Sequence, residues 1–256
     1  CEDDLNRICT DIENCAGDTS IALSMISDDS FYMEMKKDYA PEMVTAFIRL
    51  NGATVGCVAN RSEVYTDGEK TATYDAALTA AGCEKAAAFV NFCNAFEIPV
   101  LTLVNVDGYK NCKCNEKKIA KAAARLTYAF ANADVPKVTV VVGKANGTAG
   151  LTMNSKSIGS DIVYAWKNAK IGVMEAAPAV KIMYADEIAK ADNAAALINE
   201  KAAQYNEMQA SALAAAKRGY VDDIIEASET RQRVVAAFEM LFTKREDRPS
   251  KKHGTI

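Results

Sequence analysis

The chain has 256 residues, half of them hydrophobic and a quarter charged, and a net charge of −4. That balance is ordinary for a soluble globular protein, offers no basic footprint for nucleic acid, and contains no apolar run near the roughly 20 residues of a membrane span. The opening Cys1-Glu-Asp-Asp-Leu-Asn is acidic, unlike a signal peptide, and lacks an initiator Met, which reads as processing or as a piece of a longer chain.

Residues 1–20 read as a polar N-terminal approach, with a short helix near Leu5–Cys15. Met43 to Leu50, then Asn51-Gly52, then Ala53 to Ala59 is a hairpin signature: two β-rich runs joined by a two-residue turn that tolerates positive φ. Arg61 to Tyr74 is polar and predicts a loop. Leu78 to Phe96 sets Ala86, Phe89, Val90 and Cys93 at helical spacing. Pro99 precedes a buried strand, Val100 to Val104. A loop over Asn105 to Asn115 and a helix over Glu116 to Ala131 follow. Pro136 precedes a strand over 138–142, a turn over 143–148 and a helix over 149–158. Ile162 to Ala165 and Ile171 to Met174 read as short strands. A long Ala-rich helix over roughly 192–217 is ended by Gly219. Val221 to Ile225 is a last strand, Ser228 caps a helix through about Thr243, and 244–256 is a charged tail. Strands alternating with helices after an opening hairpin predict an α/β fold with a mainly parallel sheet.

The chemistry centres on Lys144-Ala-Asn-Gly147-Thr148-Ala149-Gly150, which follows the β-branched run Val138 to Val142 and leads into a helix. Strand, glycine-bearing turn and helix leave free backbone N–H groups at a helix N-terminus. Such a turn can hold a phosphate or a developing oxyanion, or it can simply pack helix on strand. No Walker motif, no G-x-G-x-x-G and no Ser-His-Asp set is present, because His253 is the single histidine. The eight cysteines, at 1, 9, 15, 57, 83, 93, 112 and 114, read as reduced and cytoplasmic, and no metal site is expected. Cys112-Lys-Cys114 can bind metal, cycle redox, or stand as a solvated loop pair; a zinc site wants a second ligand pair.

Several segments together resemble one family. Ala46 to Asn60, Lys85 to Pro99, Met153 to Trp166 and Gly219 to Gly254 follow, in order, the C-terminal half of biotin-dependent acyl-CoA carboxyltransferases, of the acetyl-/propionyl-CoA carboxylase β and methylmalonyl-CoA decarboxylase α type. The likeness runs from about Leu5 to the end. It implies a crotonase (ClpP-like) spiral of ββα units, with 1–256 as one biotin-side domain. It further implies biotin on a separate carrier protein, a CoA thioester as substrate, an N-terminal carboxyltransferase half as partner, and an oligomer. The family's glycine-glycine-alanine turn falls on Gly147-Thr148-Ala149, so the Thr148 and Ala149 N–H groups take the donor positions toward the ureido oxygen. Gly150 stands in place of an aromatic, and Leu151 sits where the family tunes acyl size.

Three loops depart from the family pattern. Its Val-Asp-Val-Pro-Gly-Phe here reads Val104-Asn105-Val106-Asp107-Gly108-Tyr109, its next Pro-Gly reads Asn111-Cys112, and its Gly-Pro-Glu-Gly-Ala reads Glu175-Ala176-Ala177-Pro178-Ala179. Gly108, Tyr109 and Glu175 join Gly147, Gly150 and Leu151 as candidate binding residues. Glu175 is either a solvated loop charge or a polar contact to biotin or a partner. The rivals to a carboxyltransferase or decarboxylase are a non-catalytic assembly subunit and a crotonase-type hydratase or thioesterase, the latter needing an acid or base such as Glu175 or Glu116. Exposed Ala- and Met-rich faces near 178–213 are the expected contact surface.

Overall fold

The structure, a computed structural model, describes residues 2–66 and 68–246. A 3-10 turn at Ile12–Cys15 precedes α1 (Thr19–Ile26), whose Asp18 side chain caps it by accepting from Ser20 N. Strand β1 (Tyr32–Glu34) leads to the expected hairpin of β2 (Met43–Leu50) and β3 (Ala53–Asn60). Leu50 stands opposite Ala53, and both turn residues have positive φ, Asn51 at 50° and Gly52 at 77°, as a tight primed turn requires.

A long strand, a short strand and a helix then recur. After β3 come a small hairpin, β4 (Glu63–Thr66) and β5 (Glu69–Thr73), then β6 (Ala77–Leu78) and α2 (Ala80–Ala95). Next are β7 (Val100–Val106), β8 (Gly108–Tyr109), the single turn α3 (Lys113–Glu116) and α4 (Ile119–Asn132). β9 (Lys137–Asn146) runs directly into α5 (Gly147–Thr152). β10 (Ile162–Trp166) and β11 (Lys170–Gly172) precede α6 (Ala176–Met183), α7 (Ala185–Lys190), α8 (Ala194–Tyr205) and α9 (Ala212–Lys217). β12 (Asp223–Ile225) and α10 (Thr230–Met240) follow.

The main sheet runs β1-β2-β3-β7-β9-β10-β12, parallel from β3 onward, with β11 beside the far end of β9. The pleat sorts the core by alternation. Leu101, Leu103, Val138, Val140 and Val142 pack with Leu23 and Ile26 of α1 and Val234 and Val235 of α10. Val104, Val106 and Val141 pack with Val90 and Cys93 of α2 and Leu126 and Phe130 of α4. Apolar strands covered on both faces are what a parallel sheet demands.

Several boundaries differ from the sequence reading. The Leu5–Cys15 helix shrinks to a 3-10 turn, and the Asp18-capped α1 stands instead. The loop expected over 61–74 is the β4–β5 hairpin, whose mostly exposed residues carry no apolar period. The loop over 105–115 holds β8 and most of α3. The helix expected over 149–158 is α5 and stops at Thr152, because Asn154 turns left-handed at φ 54°. The 192–217 helix is interrupted by a π-helical stretch, Asn206–Ala210, and by extended Ser211, whose hydroxyl caps α9. Gly219, at φ 77°, ends α9 as expected. Ser228 lies in a 3-10 turn and caps nothing; α10 begins two residues later. Cys9 and Ile12 of the N-terminal segment are buried, and Lys244 of the charged tail bonds Asp161 Oδ2 at 2.9 Å. His253 lies outside the described residues. Among the described residues no helix is long and apolar enough to cross a membrane.

Candidate functional site

β9 carries the site at its end. Its apolar run stops at Val142, and beyond it Lys144 and Asn146 share one face of the strand. Gly147 then turns the chain at φ 57°, a conformation that strains an L side chain, and a Cβ there would stand 3.0 Å from the Val173 carbonyl oxygen. α5 begins at this residue. The first N–H groups of a helix have no partner one turn back. Asn146 supplies no side-chain cap, and no hydrogen bond among the described residues takes the Thr148 or Ala149 N–H. α5 has six residues, fewer than the sequence led us to expect, so the donors are these individual amides rather than a long helix dipole. Gly150 lies against the start of the turn: a Cβ on it would meet the Ala145 carbonyl carbon at 2.7 Å.

The turn fronts a cavity of about 970 Å³. All eight sequence candidates line it: Gly108 and Tyr109 from β8, Gly147, Thr148, Ala149, Gly150 and Leu151 from α5, and Glu175 at the start of α6. Ala149 and Gly150 are buried, while Thr148 and Leu151 are exposed. The Tyr109 hydroxyl meets Thr152 Oγ1 at 3.1 Å, and Thr152 Oγ1 donates to the Thr148 carbonyl at 2.9 Å, which ties β8 to the donor turn.

Three residues without a role in the sequence reading complete the site. Lys144 Nζ donates to Asp107 Oδ2 and to Glu175 Oε1, both at 2.7 Å. Asn146 Nδ2 donates to the other Asp107 oxygen at 3.0 Å. Partial burial pulls the Lys144 ammonium down, but its bonds to Asp107 and Glu175 more than offset this and leave its pKa raised. Glu175 is therefore an exposed charge, but a paired one. The signal in the sequence was two polar residues at alternate positions ending an apolar strand, which marks one face but names no partner.

The altered 104–109 loop is built into the scaffold as well. The β7–β9 register shifts between Val104 and Val106, and Asn105 sits at that irregularity. Gly143 lacks the side chain that would occupy the place of the Asn105 amide. Asn105 Oδ1 accepts from Lys144 N at 3.0 Å, and Asn105 Nδ2 donates to the Ala16 carbonyl at 2.8 Å.

The arrangement offers backbone donors and a paired ionic cluster, two carboxylates on one ammonium. The carboxylates lining the cavity are Asp107 and Glu175, both engaged by Lys144, and Glu116 on α3 does not line it. That counts against the acid–base pair a hydratase needs. Among the described residues no cluster of three or more His, Cys, Asp or Glu is arranged to hold a metal ion.

Comparison with known proteins agrees with this geometry. The carboxyl transferase domain family model matches residues 2–256. The methylmalonyl-CoA decarboxylase subunit alpha of Propionigenium modestum is 39% identical over 270 residues, covering 100% of this chain and 49% of that protein. The methylmalonyl-CoA carboxyltransferase 12S subunit of Propionibacterium freudenreichii subsp. shermanii is 40% identical over 240 residues, covering 93% and 44%. A solved structure of transcarboxylase 12S, described as a hexamer with methylmalonyl-coenzyme A and methylmalonic acid bound, superposes with a TM-score of 0.89 at 38% identity, covering 99% of this chain and 48% of that one. The geranyl-CoA carboxylase beta subunit of P. aeruginosa gives a TM-score of 0.72 at 25% identity, covering 90% and 42%. The chain thus spans about half the length of the relatives it matches. The α/β architecture is the crotonase-type spiral expected from the resemblance, each turn a long strand, a short strand and a helix. By the extent of the family match and the shared fold, the chain belongs to the carboxyl transferase domain family.

Proposed function

We propose that residues 1–256 form the biotin-side, C-terminal domain of an acyl-CoA carboxyltransferase or decarboxylase, which moves a carboxyl group between biotin and an acyl-CoA. One observation carries the reading: the Thr148 and Ala149 N–H groups front the cavity with no acceptor of their own among the described residues. The residues present fit a ureido ring: two adjacent amide donors, a side-chain-free Gly150 and an apolar flank at Val141, Met153 and Val163. When bound, biotin supplies the ring nitrogen that carries the carboxyl group. This chain's part is to stabilise negative charge on an oxygen placed against the two amides. Donors fixed in advance do this without reorganising, and one of them contributes about 3 kcal/mol. Leu151 at the rim limits acyl size, and Gly108 and Tyr109 form part of the wall.

The reading brings a biotin carrier protein, an N-terminal carboxyltransferase half holding the CoA, an oligomer and a cytoplasmic setting. Ile182, Met183, Met208 and Leu213 are exposed apolar residues on the helical arm where such a partner would seat. The test is isotope exchange between labelled malonyl-type CoA and free biotin with an N-terminal half of the family added. Exchange that depends on this chain supports the reading; none from a folded mixture refutes it and leaves an assembly subunit.

A further inference from the structure

The loop between β8 and α4 carries a feature the carboxyl chemistry does not use. Cys112 Sγ and Cys114 Sγ lie 2.9 Å apart on the protein surface. Two residues along a chain span at most about 7 Å between Cα atoms, so closing a bond between them needs no distant segment to move. The thiols are also held facing each other by contacts that do not involve sulfur. Lys110 N donates to the Leu78 carbonyl at 2.9 Å. The Asn115 side chain accepts from Ala80 N at 2.7 Å and donates to the Lys110 carbonyl at 2.7 Å. Both ends of the Cys-Lys-Cys segment are therefore pinned to β6 and the start of α2.

The geometry points to Cys112 and Cys114 as a reversible dithiol–disulfide site, with Cys112 the attacking sulfur and Cys114 the resolving one, exchanging with a small-molecule or protein disulfide.

The other cysteines sharpen the contrast. Burial pushes the thiols of Cys83 and Cys93 up to about 12, and those of Cys9, Cys15 and Cys57 are raised by the same cause. The Cys114 thiol, then the backbone N–H groups of Asn115 and Cys114, hold Cys112 below the ordinary thiol range, and Lys110 adds to this. A lowered thiol that is also accessible is the one that reacts. In the first step the Cys112 thiolate attacks one sulfur of the disulfide. It forms a mixed disulfide and releases a thiolate, which takes a proton from water. In the second step Cys114, having lost its proton to solvent, attacks Cys112 Sγ and expels the second thiolate. The protein dithiol is oxidised by two electrons, and the incoming disulfide is reduced to two thiols.

The experiment incubates the 256-residue chain with glutathione disulfide at pH 7, quenches with acid, digests with trypsin and reads the peptides by mass spectrometry. Trypsin cuts after Lys110, Lys113 and Lys117, so the closed site appears as Asn111–Lys113 joined through sulfur to Cys114–Lys117. The proposal expects this joined pair to form, dithiothreitol to reverse it, and the buried cysteines to stay unmodified over the same time. Cys114→Ser should accumulate glutathione on Cys112, and Cys112→Ser should react at Cys114 several-fold more slowly. Glutathione that stays on Cys112 of the unaltered chain without closure overturns the proposal, as does no reaction at either sulfur. Equal rates for the two variants overturn the assignment of Cys112 as attacker. Both side chains are at least partly exposed, so circular dichroism of the serine variants should match the parent.

Discussion

Asp107 and Glu175, from two loops that both depart from the family pattern, meet on one ammonium: each carboxylate lies 2.7 Å from Lys144 Nζ. The structure brings the two departures together on one cation. The cluster closes a lip of the cavity, with two carboxylates around a single cation.

That count sets an asymmetry. Glu175→Gly leaves Asp107 paired with Lys144, and since Glu175 is largely exposed the cost is at most about 1 kcal/mol. Lys144→Met leaves two carboxylates facing each other with only Asn146 as a donor, and the cost rises to about 1–3 kcal/mol. Urea unfolding midpoints of the two variants measure the difference; equal midpoints would contradict the shared-cation account.

The donor turn makes a sharper prediction about chemistry. Thr148→Ala keeps the backbone N–H and should leave carboxyl exchange within about twofold of the parent, given that a main-chain amide donates whatever its side chain. Thr148→Pro removes that N–H at a first-turn position that a helix tolerates. Its exchange rate should fall by about 10²–10³ with the melting temperature little changed. If alanine and proline act alike, the amide is not the donor.

Lys85 predicts a pH dependence. It is buried at 2% exposure, with Nζ donating to the Met43 carbonyl at 2.7 Å, and burial lowers its pKa to about 8. The unfolded chain holds that proton up to about 10.4. Between these values the unfolded state binds more protons than the folded one, so Lys85 makes stability rise with pH. The stability of the parent relative to Lys85→Met should therefore grow between pH 7.5 and 9.5 in urea titrations. A constant difference would mean the lysine titrates normally.

Arg231 ties the two ends of the described chain together. It is fully buried on α10, donating to Asp28 Oδ1 at 2.8 Å, to the Ile26 carbonyl at 2.6 Å and to the Asp4 carbonyl at 3.2 Å. Arg231→Met leaves Asp28 buried without its cation, a loss of about 3–5 kcal/mol. Chemical denaturation gives the number, and early proteolysis near residues 2–30 gives its location.

Much of this was legible in the sequence where period and turn chemistry agree. Asn51-Gly52 announced its hairpin, and the β-branched run at 138–142 announced the strand that carries the site. The family likeness singled out Gly147 to Ala149, and the structure sets that turn against the cavity. What escaped were features set by tertiary partners. β4 and β5 are largely exposed and show no apolar alternation. The 192–217 run is helical in composition throughout, and its break falls at Ser211, between the buried Ala210 and Ala212. Lys144 could be read as polar, but its carboxylates come from residues 107 and 175, and one sequence does not reveal such pairing.

The main sheet ends on two very short strands, β1 and β12, of three residues each. Neither margin presents a run of open peptide groups long enough to template a neighbouring chain. The ends of the main sheet therefore do not invite strand addition, whereas the exposed side chains Ile182, Met183, Met208 and Leu213 offer a surface that can be covered and uncovered without drawing any strand out of register.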